Sequence, residues 1–565
     1  MPAATDPAHD EFGGPANRQF SLIELCFDRF LSLWQDNKAL PPARLNIVFL
    51  AGLAIICGAT VFIGAVPTRI DGHDIFFLLD NGWRVINGLR PHVDYYSPWG
   101  PLMFLVSGLG LRLSGYMVDG IGYGSAVVAM IVGIWSFSLA KERLAPSPRL
   151  LLSFFLAALV AAPYPLSISP FASSHAMVYN RYGYALLGLI LTETLNPRRG
   201  RTRELPGGIS TGAALSLALF LKASYFFAAV VLIGVISLIL WRVAWRRILG
   251  ILLGFSLMSA CMLAYLRFDV AAVLADLRMA AGARAESLGP DVPLWNILGH
   301  APVLLEVVLF SFAAALVFGS RAQQWRGLKL PIVGIILFFA DISIISSNQQ
   351  SGSFPVCAVF AILMLSEVTE DQQALLPAEG HSLRPNYGAV LCLGALLFVP
   401  QFTGDLAGLA YGTWKKARPS TPAAVLRFTS PNLRTLLLYD NATNPHSNGR
   451  EYVTYVNDGV ALLERETRRN ETVLTMDMSN PFPYALERRP PHGGIAAMAY
   501  HYGLNDAHRP SDDRYFGDAD IVMLPKRPAL DPAYYIDFLK AYKPGLQQRY
   551  NLAAESDWWL LYRRK

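Results

Sequence analysis

The 565 residues are 53% hydrophobic and only 16% charged, against about 25% charged in soluble domains, so the chain is a polytopic membrane protein with some soluble mass. Its net charge of +6 comes from basic residues clustered in short loops between apolar spans, where they act as orientation signals and argue against nucleic acid as a partner. Five cysteines, at 26, 57, 261, 357 and 392, show no CxxC or Cys/His spacing, which excludes a disulfide framework and a zinc finger.

Residues 1–19 are polar, with no basic-then-apolar start and no small-residue cleavage site, so a cleaved signal peptide is not expected. Residues 20–34 place apolar groups at helical spacing and suit a helix lying on the membrane surface or docked on the protein. Apolar segments follow at 45–67, 99–116, 118–140, 149–165, 182–195, 206–221, 223–241, 246–267, 294–318, 328–347, 354–369 and 386–403. Several fall short of the ~20 residues of a perpendicular span, as helices do that stop early beside a cavity.

Basic loops orient these spans. Arg198, Arg199, Arg201 and Arg203 form one, Arg242, Arg246 and Arg247 a second, and Arg321, Arg326 and Lys329 a third. The positive-inside rule makes all three cytoplasmic, together with the N-terminal arm carrying Arg18, Arg29, Lys38 and Arg44. Loops 68–98, 166–181, 268–293 and 348–353 then face outward. Three apolar segments separate the first two of these loops, and an even number must cross. Lys141, Arg143 and Arg149 favour a cytoplasmic 141–149, so the glycine-rich 99–116 is expected to be re-entrant or surface-lying. About eleven crossings result.

Residues 404–565 are polar and rich in Pro, Asp, Arg and Tyr, with no spanning run. Thr472–Met476, Ile521–Leu524 and Trp558–Tyr562 have strand character, and Tyr534–Tyr542 is helical. The expected organisation is a cytoplasmic arm with an interfacial helix (1–44), a membrane module (45–403) with its active-site loop at 68–98, and a mixed α/β domain on the outer, periplasmic face (404–565).

The chemistry concentrates in loop 68–98, which holds Asp71, His73, Asp74, Asp80, Arg84, Arg90, Asp94, Tyr95 and Tyr96. Ionisable groups sit beside a bilayer only at a cost. A helix from Asp74 to Asn87 would put Asp74, Phe77, Asn81 and Arg84 on one face. Glycosyl transfer to a hydroxyl needs a carboxylate to take the acceptor proton and cations to hold the departing phosphate. Asp71 or Asp74 supplies the first, Arg84 the second. Solvation and capping of a surface helix is the plainer alternative. Asp71, His73 and Asp74 also carry oxygen and nitrogen donors suited to a divalent ion, at a spacing that is not diagnostic.

This stretch resembles the GT-C superfamily of integral-membrane glycosyltransferases, which includes protein mannosyltransferases, aminoarabinose transferases of lipid A and mycobacterial arabinofuranosyltransferases. The matching residues are Asp74 just after the first span, Phe76-Phe77, Arg84, Gly88, then Pro91-His92-Val93-Asp94-Tyr95-Tyr96, and Gly100-Pro101 opening the next apolar segment. The resemblance covers the layout of about 1–403, with its motifs confined to roughly 70–101 and Lys222. It implies Asp74 as catalytic base, with Asp71 as rival or helper. Two departures stand out: Ile75 follows Asp74 where the family often has a second acid, and His92 replaces a common Tyr. Some members of the family use a metal and others do not.

Lys222, between two apolar runs, is functional by its position. It resembles the lysine that opens a helix pair in many GT-C chains and there contacts a carrier phosphate. Snorkelling to headgroups is its plainer role. The loop at 166–181 lacks the family's Asp. There His175 and Asn180 are candidates for sugar and Arg181 for phosphate, with Asp94, Tyr95, Tyr96 and His73 added on the sugar or acceptor side. Arg284, in an amphipathic 268–293 that also holds Arg278 and Glu286, is a further phosphate candidate. The amides Gln349 and Gln350 suit sugar hydroxyls.

Together these readings imply an inverting transferase in the inner membrane of a bacterium. It would move a sugar from a polyprenyl-phosphate donor to a periplasmic glycan, lipid or protein. The rival is a carrier that flips a lipid-linked sugar. Carriers place ionisable groups at mid-membrane, where this chain offers chiefly Glu306 and Asp341.

Overall fold

The computed structural model describes residues 41–565 apart from 142, 196–203, 242, 288–291, 319–327, 349–351, 374–384, 419–425, 441–448 and 530–531. The expected surface helix at 20–34 and the basic residues Arg198, Arg199, Arg201, Arg203, Arg242, Arg321 and Arg326 therefore lie outside the described residues. Fifteen helices form the membrane part: α1 (Pro42–Ile63), α2 (Asp74–Ile86), α3 (Leu102–Leu113), α4 (Gly120–Ala140), α5 (Pro146–Ala161), α6 (Val178–Leu195), α7 (Glu204–Leu221), α8 (Ala223–Ile239), α9 (Trp245–Tyr265), α10 (Val270–Ser287), α11 (Val292–Gly299), α12 (Ala301–Phe318), α13 (Lys329–Asn348), α14 (Pro355–Gln373) and α15 (Pro385–Ala417). Among the described residues, seven are long and apolar enough to cross a membrane, and four more apolar helices are shorter. The chain is a polytopic helical membrane protein.

Local chemistry sets the helix ends. Pro42 opens α1, where its missing N–H is no loss, and Gly64 closes it at φ +57. A Cβ there would meet the Asp119 side chain at 2.3 Å. Asp341 in α13 is buried and accepts from the Val356 and Cys357 amides at 3.4 and 3.1 Å, so it caps the start of α14.

Helix α3 is held at both ends. Its entry is tied to the end of α7, where the Gly100 amide donates to Leu221. The turn after it meets the C-terminal domain: Val118 N–H donates to Asn432, and the Tyr484 hydroxyl to Tyr116. Both ends of α3 are thus anchored, the second to the C-terminal domain, and its 12 residues are fewer than the ~20 of a perpendicular span.

The C-terminal domain follows α15, which continues to Ala417, beyond the change in composition at 403. The polarity that marks 403 comes partly from Asp405, whose carboxylate turns inward to Arg181 and Tyr164 at 2.8 and 2.9 Å. The domain comprises α16 (Gly449–Glu466), β1 (Val473–Thr475), α17 (Phe482–Ala485), α18 (Asp512–Phe516), β2 (Ile521–Pro525), α19 (Pro532–Arg549), β3 (Tyr550–Glu555) and β4 (Trp559–Arg564). Its sheet has the order β1-β2-β4-β3, with β1 and β2 parallel (Val473 opposite Ile521) and the other pairs antiparallel. The three expected strands and the helix are present. β3 was not foreseen; its short alternation is broken by a register shift between Leu552 and Ala554. The parallel pair needs a long crossover, residues 476–520, and this crossover faces the membrane part.

Small residues let α7 and α9 touch backbone to backbone. A Cβ on Gly212 would meet the Ile251 carbonyl oxygen at 2.1 Å, and one on Gly254 the Ile209 oxygen at 2.1 Å. Gly254→Val should therefore abolish monodisperse, detergent-soluble protein. Gly58→Ala in α1, where a Cβ has nothing within 4 Å, should leave it intact. Size-exclusion profiles of the two variants check this; equal profiles would refute the close approach.

Candidate functional site

Asp74 is the first residue of α2, reached through a turn that Asp71 makes at φ +48, a conformation Asp tolerates better than most residues. The Asp74 amide donates to the Asp71 carbonyl at 3.0 Å. Burial, reinforced by the neighbouring Asp71 charge, pushes the Asp74 carboxyl up to about 6, against the opposing pull of His73. His73 Nε2 lies 3.3 Å from its Oδ1. Such a carboxylate is poised for general base chemistry near neutral pH.

Aromatic rings connect this carboxylate to a cavity. Phe77 packs on Trp99 with centroids 5.0 Å apart, and Trp99 on Tyr179 at 6.2 Å. Asp74 interacts electrostatically with Tyr179 and with Tyr452 of α16. The Tyr452 ring also packs on Phe76 at 5.5 Å. Trp99 and Tyr179 in turn line a cavity of about 540 Å³, whose charged lining residues are Lys222, Arg278 and Arg284. Its apolar wall includes Leu219, Phe227 and Leu274, and the C-terminal domain closes it with Ala499, Tyr502 and Gly503.

Lys222 stands in the break between α7 and α8, extended at φ −164. Its Nζ lies 5.3 Å over the Tyr179 ring, and among the described residues no carboxylate pairs with it. Burial first, then the nearby Arg284 charge, lowers its ammonium to about 7. Arg284 stacks 5.2 Å over Tyr502 and donates to the Ser346 carbonyl at 2.9 Å. An anion entering here would meet three cations and aromatic and apolar walls.

Other expected site residues are placed elsewhere. Arg84 is fully buried, donating to Asp80 at 3.0 Å and to the Pro491 and Gly493 carbonyls at 3.2 and 3.0 Å, so it joins α2 to the C-terminal domain and is no phosphate ligand. Arg181 is 1% exposed and pairs with Asp405 and the Tyr164 and Leu159 carbonyls. His175 is buried, accepts from the Val66 amide at 3.0 Å, and is pushed down to about 4 by burial. Asn180 accepts from the Tyr225 hydroxyl.

Tyr95 lies under Arg84 and Tyr96 donates to Gly503, both without exposure. They are core, where sugar-binding faces were expected. Asp94 accepts from the Arg90 amide and lies 3.5 Å from His492. Gln349 and Gln350 lie outside the described residues, although the neighbouring Ser347 lines the cavity. Arg247, expected as an orientation charge, is buried against Glu193 at 2.7 Å. Among the described residues no three His, Cys, Asp or Glu side chains form a metal-binding group, the 71–74 trio included. Tyr452 and Tyr502 were missed; both come from a domain hundreds of residues away, with no local signal.

The raised Asp74 pKa has a stability consequence. Folding takes up a proton between the ordinary value near 4 and about 6, so stability falls as pH rises through that window. A shift of about two units is worth on the order of 3 kcal/mol. Asp74→Asn should therefore melt several degrees above wild type at pH 7.5, with the gap closing near pH 4. Midpoints measured in detergent at both pH values decide it; no gap at pH 7.5 would refute the burial of this charge.

No family model and no curated protein matches the sequence. Among solved structures the chain is similar to ArnT from Cupriavidus metallidurans in the apo state, at 11% identity and TM-score 0.43, covering 91% of this chain and 97% of that one. It is similar to arabinofuranosyltransferase AftD from Mycobacteria, at 13% identity and TM-score 0.40, covering 94% of this chain and 40% of that one. The oligosaccharyltransferase AglB from Archaeoglobus fulgidus, in complex with an inhibitory peptide and a dolichol-phosphate, is similar at 12% identity and TM-score 0.35, covering 84% of this chain and 69% of that one.

Proposed function

We propose that this protein is a glycosyltransferase that moves a sugar from a polyprenyl-phosphate donor to a glycan, lipid or protein acceptor, with Asp74 as base. The observation that carries the reading is one juxtaposition. A half-buried carboxylate with a raised pKa interacts electrostatically with Tyr179, part of the aromatic wall that bounds a cavity lined by Lys222, Arg278 and Arg284. Asp71 is the helper, because its charge raises the Asp74 pKa while Asp74 itself faces Tyr179. The membrane module supplies the base and most of the cavity, and the C-terminal domain closes it on the outer, periplasmic face.

In this mechanism the Asp74 carboxylate takes the acceptor hydroxyl proton. The hydroxyl oxygen bonds to the anomeric carbon as the bond from that carbon to the phosphate oxygen breaks. The electron pair leaves with the phosphate, whose added charge the three cations neutralise. Attack opposite the leaving group inverts the anomeric centre. A membrane-held donor accounts for the apolar wall. The carrier reading loses support because Asp341, its main mid-membrane acid, already holds two backbone amides at the start of α14.

Purified protein given radiolabelled polyprenyl-phosphate sugars and total membrane lipid or glycan should transfer label. Asp74→Asn should lower transfer by about a hundredfold or more and still bind donor, while Asp71→Asn should lose less. Transport of donor across sealed vesicles without any transfer would replace the enzyme with the carrier. For wild type, kcat/KM should rise with pH through about 6 as Asp74 ionises, and fall above about 7 as Lys222 loses its proton. Lys222→Arg should remove the alkaline limb. A profile flat across both values would refute the two roles.

A further inference from the structure

Helix α10 carries two of the three cavity cations, Arg278 and Arg284, yet little apolar burial holds it. Among its described side chains only Asp276 and Ala283 are buried. A lone helix of this length is marginal without packing, so its position depends on polar contacts. Asp276, its one buried carboxylate, provides three of them, beside the Arg284 bond to the Ser346 carbonyl. Its Oδ2 accepts from the Ser97 amide at 3.0 Å and from His92 Nδ1 at 3.2 Å, and its Oδ1 accepts from Arg514 Nη1 at 2.6 Å.

Those three donors belong to the parts that must meet. Ser97 precedes Pro98 and Trp99, which line the cavity. Arg514 belongs to α18 of the C-terminal domain, and its Nη2 also donates to the His92 carbonyl at 2.8 Å. His92 sits at φ +69, a conformation that non-glycine residues hold only when their surroundings enforce it. The His92 ring nitrogen is what reaches Asp276. At the far end of α10, Glu286 meets Asn505 and lies 3.4 Å from His508, but it is half exposed, and exposed pairs hold little.

We infer that Asp276 is a positioning residue for the donor site. It fixes α10 against the first loop and the C-terminal domain, so that Arg278 and Arg284 complete the cation set around the carrier phosphate. It does not itself line the cavity. The inference rests on reading that cavity as the donor-phosphate site.

The test measures binding of undecaprenyl phosphate, without sugar, to the purified full-length protein. It adds donor KM and kcat, and amide hydrogen exchange over 270–287. Asp276→Asn should weaken binding about tenfold, the affinity equivalent of one hydrogen bond to a charged group. Donor KM should rise equally, kcat at saturating donor should stay near wild type, and exchange in α10 should accelerate. Arg514→Gln leaves the buried carboxylate in place and serves if Asp276→Asn misfolds; it should give the same pattern, and the double variant no more. Lys222→Ala should weaken binding without changing exchange in α10. Faster exchange with unchanged binding in Asp276→Asn or Arg514→Gln would overturn the positioning role, as would a loss of kcat with KM unchanged. If Lys222→Ala also binds as wild type, the donor reading of the cavity fails, and the inference falls with it.

Discussion

A guanidinium without solvent, Arg84, is the constraint on which the arrangement depends. Removing such a charge from water is tolerable only when hydrogen bonds replace the water. Here one bond comes from Asp80, one turn back on the same helix, and two come from carbonyls at 491 and 493. The carbonyls are available only when the crossover between β1 and β2 lies on α2. Asn81 and Trp83 add bonds to the Ala496 and Arg488 carbonyls. The helix that begins with Asp74 is thereby fixed in position and angle by backbone from the far end of the chain.

The charges of this protein sort into two sets by their partners. Arg84, Arg181 and Arg247 are buried and paired with Asp80, Asp405 and Glu193; their work is to join helices and domains. Lys222 and Arg278 line a cavity with no acid in its lining among the described residues. Lys222 is half-buried there without a carboxylate partner, which costs stability, and such a position is where a bound anion would relieve the cost. Asp74 is the acid of the same kind, raised by burial and only partly relieved by His73.

The sequence shows part of this division. Asp74, Lys222 and Arg284 stand out because ionisable groups between apolar runs are rare. Arg84 reads from sequence as a phosphate cation, and only the structure shows it held by Asp80 one turn back and by the crossover carbonyls. The Arg181–Asp405 pair spans 224 positions and leaves no local trace. Tyr95 and Tyr96 read as sugar or acceptor candidates, but the crossover covers them. The helical layout and most of the small sheet follow from periodicity, whereas the site depends on which distant loop meets which.

The covering of the first loop by residues 488–503 has a consequence for synthesis. Asp74 leaves the ribosome some four hundred residues before the segment that encloses it. At about 5–20 residues per second, the nascent chain carries an unroofed α2, with Arg84 short of its carbonyls, for tens of seconds. During that interval the membrane helices can insert and pack, but the base and the cavity have no common wall from the C-terminal domain. The enclosure of α2 and of the cavity thus waits for the C-terminal domain, and a chain lacking 488–503 would leave both open.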